Sequence, residues 1–218
     1  MNTNALEFID ALRAKRAALA GTVRRSDLAV THTLFAVDAS GSMAGDDFPP
    51  TRYLAGVEAV GNFLAVRAAL FGREYFGALV FNDVAKVLCE AEDYSHMQGR
   101  ILRDLRRIAP DGGTDIGAAL QAAALIFKAA APADTHRLIL LSDGHGGRPY
   151  READQLKRQG VVIDTIGIGG SPVEVDETCL KTIASLSENQ PRYRFITDKD
   201  DLVNHFRTIA HELVLVRP

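Results

Sequence analysis

The feature that most restricts this fold is an alternation. Short apolar runs stop abruptly in polar turn residues, and stretches with helical spacing lie between them. The run Thr31 to Val37 becomes wholly apolar at Leu34-Phe35-Ala36-Val37, then ends in Asp38-Ala39-Ser40-Gly41-Ser42. A helix is predicted from Thr51 to Leu70, where Leu54, Val57, Gly61, Leu64 and Ala68 recur at spacings of 3, 4, 3 and 4. Only Arg52, Glu58 and Arg67 carry charge in that span, so the helix is expected to be largely buried. Tyr75 to Phe81 and Ala85 to Glu90 read as two strands joined at Asn82-Asp83, a hairpin. Further helices are predicted over 97–108, 114–131, 149–159, 178–187 and 200–214, and strands over 138–141, 161–168 and 193–196. This order predicts an α/β fold, a three-layer sandwich with a mostly parallel central sheet and the hairpin strand as its antiparallel edge.

Ahead of this alternation, residues 4–20 read as an amphipathic helix with Leu6, Ile9, Leu12 and Leu19 near one stripe, stopped at Gly21. The expected organisation is a helical extension and connector over 1–30 and one α/β domain over 31–218.

The chain has 218 residues and a formal charge of −3, with 24% charged residues. Such a balance lacks the basic stripe that phosphate neutralisation needs, so nucleic acid is not expected as a partner. No apolar run reaches the length of a membrane span. Glu7 and Asp10 interrupt the first twenty residues, unlike a signal or transit peptide. The expected setting is cytoplasmic. Cys89 and Cys179, 90 residues apart and in no paired spacing, are expected to be reduced, buried thiols.

Ligands of open α/β sheets bind beyond the carboxyl ends of strands, where strand order reverses. Three polar loops sit at helix entries, two of them directly after strands: Asp38-x-Ser40-x-Ser42 after the first strand, Gly112-Gly113-Thr114, and Asp143-Gly144 after Leu138 to Leu141. They offer two carboxylates and three hydroxyls, with neither His nor Cys among them. An all-oxygen set suits Mg²⁺, Mn²⁺ or Ca²⁺ and disfavours Zn²⁺. Two aspartates neutralise a divalent ion only formally; if the hydroxyls coordinate directly and the carboxylates act through water, the ion stays electrophilic toward one more oxygen, best supplied as an external carboxylate.

Asp38-Ala39-Ser40-Gly41-Ser42, Gly112-Gly113-Thr114-Asp115 and Leu141-Ser142-Asp143-Gly144 resemble, in order and context, the three segments of the metal-ion-dependent adhesion site of von Willebrand factor A domains. The resemblance covers about residues 31 to 215. It implies metal ligands at Asp38, Ser40, Ser42, Thr114 and Asp143. The three hydroxyls would coordinate directly in the ligand-bound state and the carboxylates largely through water. It also implies a protein partner whose Glu or Asp completes the coordination. Lacking the cysteines that flank many extracellular members, the chain is more similar to stand-alone intracellular microbial members. Those often work beside an AAA+ ATPase or a kinase or phosphatase system.

Neighbouring residues have plainer readings. Asp46 and Asp47 read as a solvated acidic turn, or else as an acidic rim that tunes metal or partner choice. Arg148 reads as a solvated cation, with pairing to an incoming carboxylate as the sharper alternative. His145 is a poor ligand for a hard cation. Gly167-x-Gly169-Gly170 reads as a turn, because Pro172 and Val173 interrupt the helix start that a phosphate loop requires. Asp115 reads as a first-turn acid favoured by the helix dipole.

The expected function is a non-enzymatic, Mg²⁺-dependent protein-binding module, with no catalytic residue and no organic cofactor. One alternative is a Mg²⁺-dependent, phosphatase-like hydrolase. Ser40 weakens it by occupying the place where haloacid-dehalogenase-type phosphatases need a second Asp, and only His145 is near enough to serve as base. The other alternative is a structural subunit whose metal braces the fold.

Overall fold

The computed structural model describes residues 31–70, 74–130 and 135–212. The helix predicted over 4–20 and the domain boundary at residue 30 lie outside the described residues. The main sheet contains β1 (Thr31–Asp38), β2 (Tyr75–Phe81), β3 (Ala85–Asp93), β4 (Thr135–Ser142), β5 (Val162–Ile168) and β8 (Tyr193–Ile196). A separate small hairpin is made by β6 (Leu186–Ser187) and β7 (Gln190–Pro191). The sheet order is β3-β2-β1-β4-β5-β8. Only β3 runs antiparallel to its neighbour, which is the predicted edge. Its register against β2 slips between Phe76 and Ala78 and again between Ala78 and Leu79.

The helices are α1 (Arg52–Leu70), α2 (Tyr94–Leu105), α3 (Ile116–Ala129), α4 (Tyr150–Arg158), α5 (Glu177–Ile183) and α6 (Lys199–Ala210). Successive strand residues point to opposite faces, so a strand covered on both sides must be apolar throughout. In β1, Phe35 and Val37 join the core beneath α1, α2 and α6, whereas Leu34 and Ala36 join the core beneath α3, α4 and α5. In β4, Ile139 and Leu141 divide from Leu138 and Leu140 in the same way. Helix α1 lies close against β4, since a Cβ on Gly56 would fall 2.3 Å from Leu141 Cδ2. Cys89 and Cys179 are both buried and are not bridged to each other, as expected.

Several boundaries differ from the sequence reading. Strand β4 begins at Thr135 rather than Leu138, because its polar start is neutralised inside the fold. Arg137 Nε donates to Asp164 Oδ2 of β5 at 2.6 Å, and its Nη1 donates to the Ile209 carbonyl at 3.1 Å. Asp164 Oδ1 also receives Arg192 Nε at 2.7 Å. Helix α2 runs from Tyr94 to Leu105, three residues earlier at each end than the predicted 97–108. Helix α3 starts at Ile116, with Asp115 as its N-cap accepting from Ala118 N at 2.9 Å, so Asp115 precedes the first turn rather than lying in it. Helix α5 stops at Ile183 rather than continuing to Ser187. Beyond it Ser185 N bonds the Ile163 carbonyl of β5 at 2.9 Å. Glu188 and Asn189, at φ 51° and 64°, then turn the chain back as a tight hairpin. Among the described residues no helix is long and apolar enough to cross a membrane.

Candidate metal centre

Strand β1 sits where the strand order reverses, with β2 on one side and β4 on the other, both parallel to it. The crevice beyond the carboxyl ends of such strands is the usual ligand site of an open α/β sheet. Asp38 is the last residue of β1 and is fully buried. Its Oδ1 accepts from Ser40 N at 2.8 Å and its Oδ2 from Ser142 Oγ at 2.5 Å. The Ser142 hydroxyl in turn accepts from Gly144 N at 2.9 Å. A single 3-10 turn, Gly41–Ala44, carries the chain on and leaves Ser42 exposed at the rim. Ser40 Oγ lies 3.1 Å from Ser42 Oγ, and Ser42 Oγ donates to Asp143 Oδ2 at 2.5 Å.

The second loop arrives from α2 and is fastened to the first through the backbone. Asp111 N donates to Ala39 O at 2.9 Å and Gly41 N to Gly112 O at 3.0 Å. The β2–β3 turn supports it from outside. Asn82 Nδ2 donates to Asp111 O at 3.0 Å, Gly113 N to Asp83 Oδ2 at 3.0 Å, and Asp115 N to Asn82 O at 2.6 Å. Thr114 is half-buried and lies against the third loop, where a Cβ on Gly146 would fall 2.9 Å from Thr114 Cγ2. The structure therefore links Asp38, Ser40, Ser42 and Asp143 by direct hydrogen bonds, and packs Thr114 against Gly146 of the third loop, in the segment whose Gly112 carbonyl accepts from Gly41 N.

Asp38, Ser40 and Asp143 are 0%, 1% and 3% exposed. Burial pushes the Asp38 carboxyl up to about 6, the Ser142 and Ser40 donors oppose that rise, and the nearby Asp143 charge adds to it. Among the described residues no ion pair reaches either carboxylate. Two buried acids side by side, served only by hydroxyl and amide donors, form a site that a hard cation would neutralise. Among the described residues no group of three or more His, Cys, Asp or Glu side chains is placed to hold a metal. This set has two carboxylates and depends on hydroxyls for the rest. Its donors fit Mg²⁺, Mn²⁺ or Ca²⁺ and not Zn²⁺.

The surrounding residues divide. His145 Nε2 lies 2.9 Å from the Glu174 carbonyl, while the His145 backbone N donates to Asp143 Oδ1 at 3.2 Å. Arg148 and Asp46 are exposed. Asp47 is engaged, receiving Arg52 Nε at 2.7 and 2.9 Å, and the Arg52 guanidinium holds its carboxyl below the usual range. Ser142, Asn82, Asp83, Arg52 and Glu174 also shape the surroundings of the centre, a role the sequence did not assign to them. Only Ser142 carried a signal, lying between Leu141 and Asp143 in the third segment.

The family model for the von Willebrand factor type A domain matches residues 33–145, which hold all three loops. The chain belongs to this family. Solved A-domain structures agree with the fold. A von Willebrand factor type A protein from Catenulispora acidiphila is 23% identical at a TM-score of 0.65, with 84% of this chain and 42% of that one covered. Proximal thread matrix protein 1 from the mussel byssus is 25% identical at 0.67, covering 84% and 45%. The pilus adhesin SpaC from Lactobacillus rhamnosus GG is 16% identical at 0.69, covering 84% and 30%. This A domain thus spans less than half the length of each of these three proteins. No curated protein matches it.

Proposed function

We propose that this A domain is a non-enzymatic protein-binding module whose intact metal-ion-dependent adhesion site captures an acidic side chain of a partner through Mg²⁺, with Mn²⁺ or Ca²⁺ as substitutes. One observation carries the reading: Asp38 and Asp143 are buried together without an ion pair among the described residues, amid serine hydroxyls at the mouth of a parallel sheet. Asp38, Ser40, Ser42, Thr114 and Asp143 would hold the ion. When bound, it supplies an electrophilic centre for one external carboxylate oxygen. Ser142 and the Ser40 amide orient the Asp38 carboxylate, and Asn82 and Asp83 orient the loop of Thr114. Family membership supports protein interaction as the role, and one structural neighbour is a pilus adhesin. The non-enzymatic reading is supported by His145, the nearest candidate base, whose ring is engaged with the Glu174 carbonyl. A cytoplasmic setting and a partner of the AAA+ ATPase, kinase or phosphatase kind belong to this proposal.

Calorimetric titration with Mg²⁺ tests it. Wild type is expected to bind and Asp38→Ala to lose binding while staying folded. An acidic peptide from a captured partner is then expected to raise Mg²⁺ affinity, since linkage makes the two effects reciprocal. Mg²⁺ affinity that no carboxylate alters would leave a bracing metal instead, and phosphate or ester turnover abolished by Ser40→Ala would make the site catalytic.

A further inference from the structure

A closed circuit of hydrogen bonds runs through two residues of the candidate metal centre, Ser42 and Asp143. Ser42 Oγ donates to Asp143 Oδ2 at 2.5 Å, and His145 N donates to Asp143 Oδ1 at 3.2 Å. His145 Nε2 lies 2.9 Å from Glu174 O; the carbonyl can only accept, so that nitrogen carries the proton. Arg52 Nη2 donates to Glu174 Oε2 at 2.5 Å. Arg52 N donates to Gly45 O at 2.9 Å, and Gly45 N returns to Ser42 O at 3.2 Å. Arg52 also grips Asp47 through Nε. A guanidinium on a residue only 9% exposed therefore bridges two segments, the one that carries Ser40 and Ser42 and the turn at Glu174 that rests on His145 beside Asp143.

We infer that Arg52 is a positioning residue for the metal centre: its fork holds the Ser42 loop and the Glu174 turn at the separation that lets Ser42 and Asp143 share one cation. This rests on the metal-binding reading above. A planar guanidinium can hold two carboxylates in fixed directions at once, whereas an ammonium is a compact point charge that cannot reproduce the fork. Helix α1 begins at Arg52, so the residue that clamps the loops is also anchored to the core beneath the sheet.

The sign of the effect separates positioning from charge. Acting through charge alone, Arg52 would repel a nearby cation, and Arg52→Met would tighten Mg²⁺ binding. Acting by position, the same substitution weakens it.

The experiment is calorimetric titration of Mg²⁺ alone into the full chain at fixed salt, for wild type, Arg52→Met, Arg52→Lys and Asp38→Ala. Thermal unfolding in chelator reports whether each variant is folded. Both Arg52 variants are expected to bind about 10- to 100-fold more weakly than wild type, the range for residues that orient metal ligands. Arg52→Lys would weaken despite keeping the charge. A folded Arg52→Met protein that binds Mg²⁺ as well as wild type, or better, overturns the inference. If that variant does not fold, Arg52→Lys decides by the same criterion. Wild type binding no Mg²⁺, or no more than Asp38→Ala, brings down the metal-binding reading and this inference with it. Binding lost in Asp38→Ala but retained in Arg52→Lys removes only the role of Arg52.

Discussion

The Ser42 hydroxyl donates to the Asp143 carboxylate at 2.5 Å across 101 residues of sequence, tying the loop after β1 to the loop after β4. A hydrogen bond to a charged group contributes about 1.5–3 kcal/mol, and Ser42 is exposed, which favours the lower end. Ser42→Ala is expected to lower metal-free stability by about 1–2 kcal/mol. It should also shrink the added stability that Mg²⁺ confers, because a ligand of the native state stabilises in proportion to its affinity. Urea unfolding with and without Mg²⁺ measures both quantities, and an unchanged Mg²⁺ increment would remove Ser42 from the ligand set.

Gly146 faces the Thr114 loop closely. A Cβ there would lie 2.6 Å from Ile116 Cγ1, 2.9 Å from Thr114 Cγ2 and 3.0 Å from the Ile116 amide. Backbone as well as side chain must therefore yield. Gly146→Ala is expected to displace Thr114, weaken Mg²⁺ binding and cost about 1–3 kcal/mol of stability, as overpacking does. Titration of the folded variant checks the first effect and denaturant unfolding the second.

At the other end of the strands, Asp164 is 4% exposed and receives both Arg137 Nε and Arg192 Nε, at 2.6 and 2.7 Å. Removing the acid leaves a buried guanidinium undercompensated, with Glu212 Oε2 as its remaining carboxylate at 3.0 Å. Asp164→Asn is expected to destabilise the domain by about 3 kcal/mol, near the low end for a broken buried pair. The folded remainder should keep its Mg²⁺ affinity, since the cluster lies far along the strands from the centre. Chemical denaturation and calorimetry test the two halves.

Burial, together with the nearby Asp176 charge and against the Arg148 charge, pushes the Cys179 thiol from 9.0 up to about 11. The native state thus favours the neutral thiol. Its contribution is complete below about 9 and is lost as pH rises through about 11, because the unfolded chain ionises first. The unfolding temperature of wild type is expected to fall more steeply across that window than that of Cys179→Ala. Parallel curves would show that the thiol stays silent.

What the sequence made legible follows from local physics. Asp38, Thr114 and Asp143 stood out because each lies in a short polar turn near a helix entry. The core strands stood out because burial on both faces demands unbroken apolar runs. What stayed hidden depends on distant partners. Arg137 looked like the residue before a strand because nothing nearby announces Asp164. Leu180, Ile183 and Leu186 keep helical spacing, yet Leu186 is 68% exposed, because Ser185 bonds β5 and the chain turns back at Glu188 and Asn189. Arg52 and Glu174, 122 residues apart, carry ordinary charges whose meeting only the folded chain reveals.

The register slips between β2 and β3 bear on how this domain can associate. An open strand edge invites another chain to extend the sheet, and natural proteins blunt it with bulges, charge and shortness. Among the described residues one margin is β3, irregular against its neighbour and carrying exposed Lys86 and Glu90. The other is β8, only four residues long. Neither is a good template for strand addition or for polymerisation through the backbone. Under the proposed metal-binding reading, recognition falls to the tips of the loops rather than the flanks of the sheet, and side-chain chemistry rather than generic peptide pairing selects what docks.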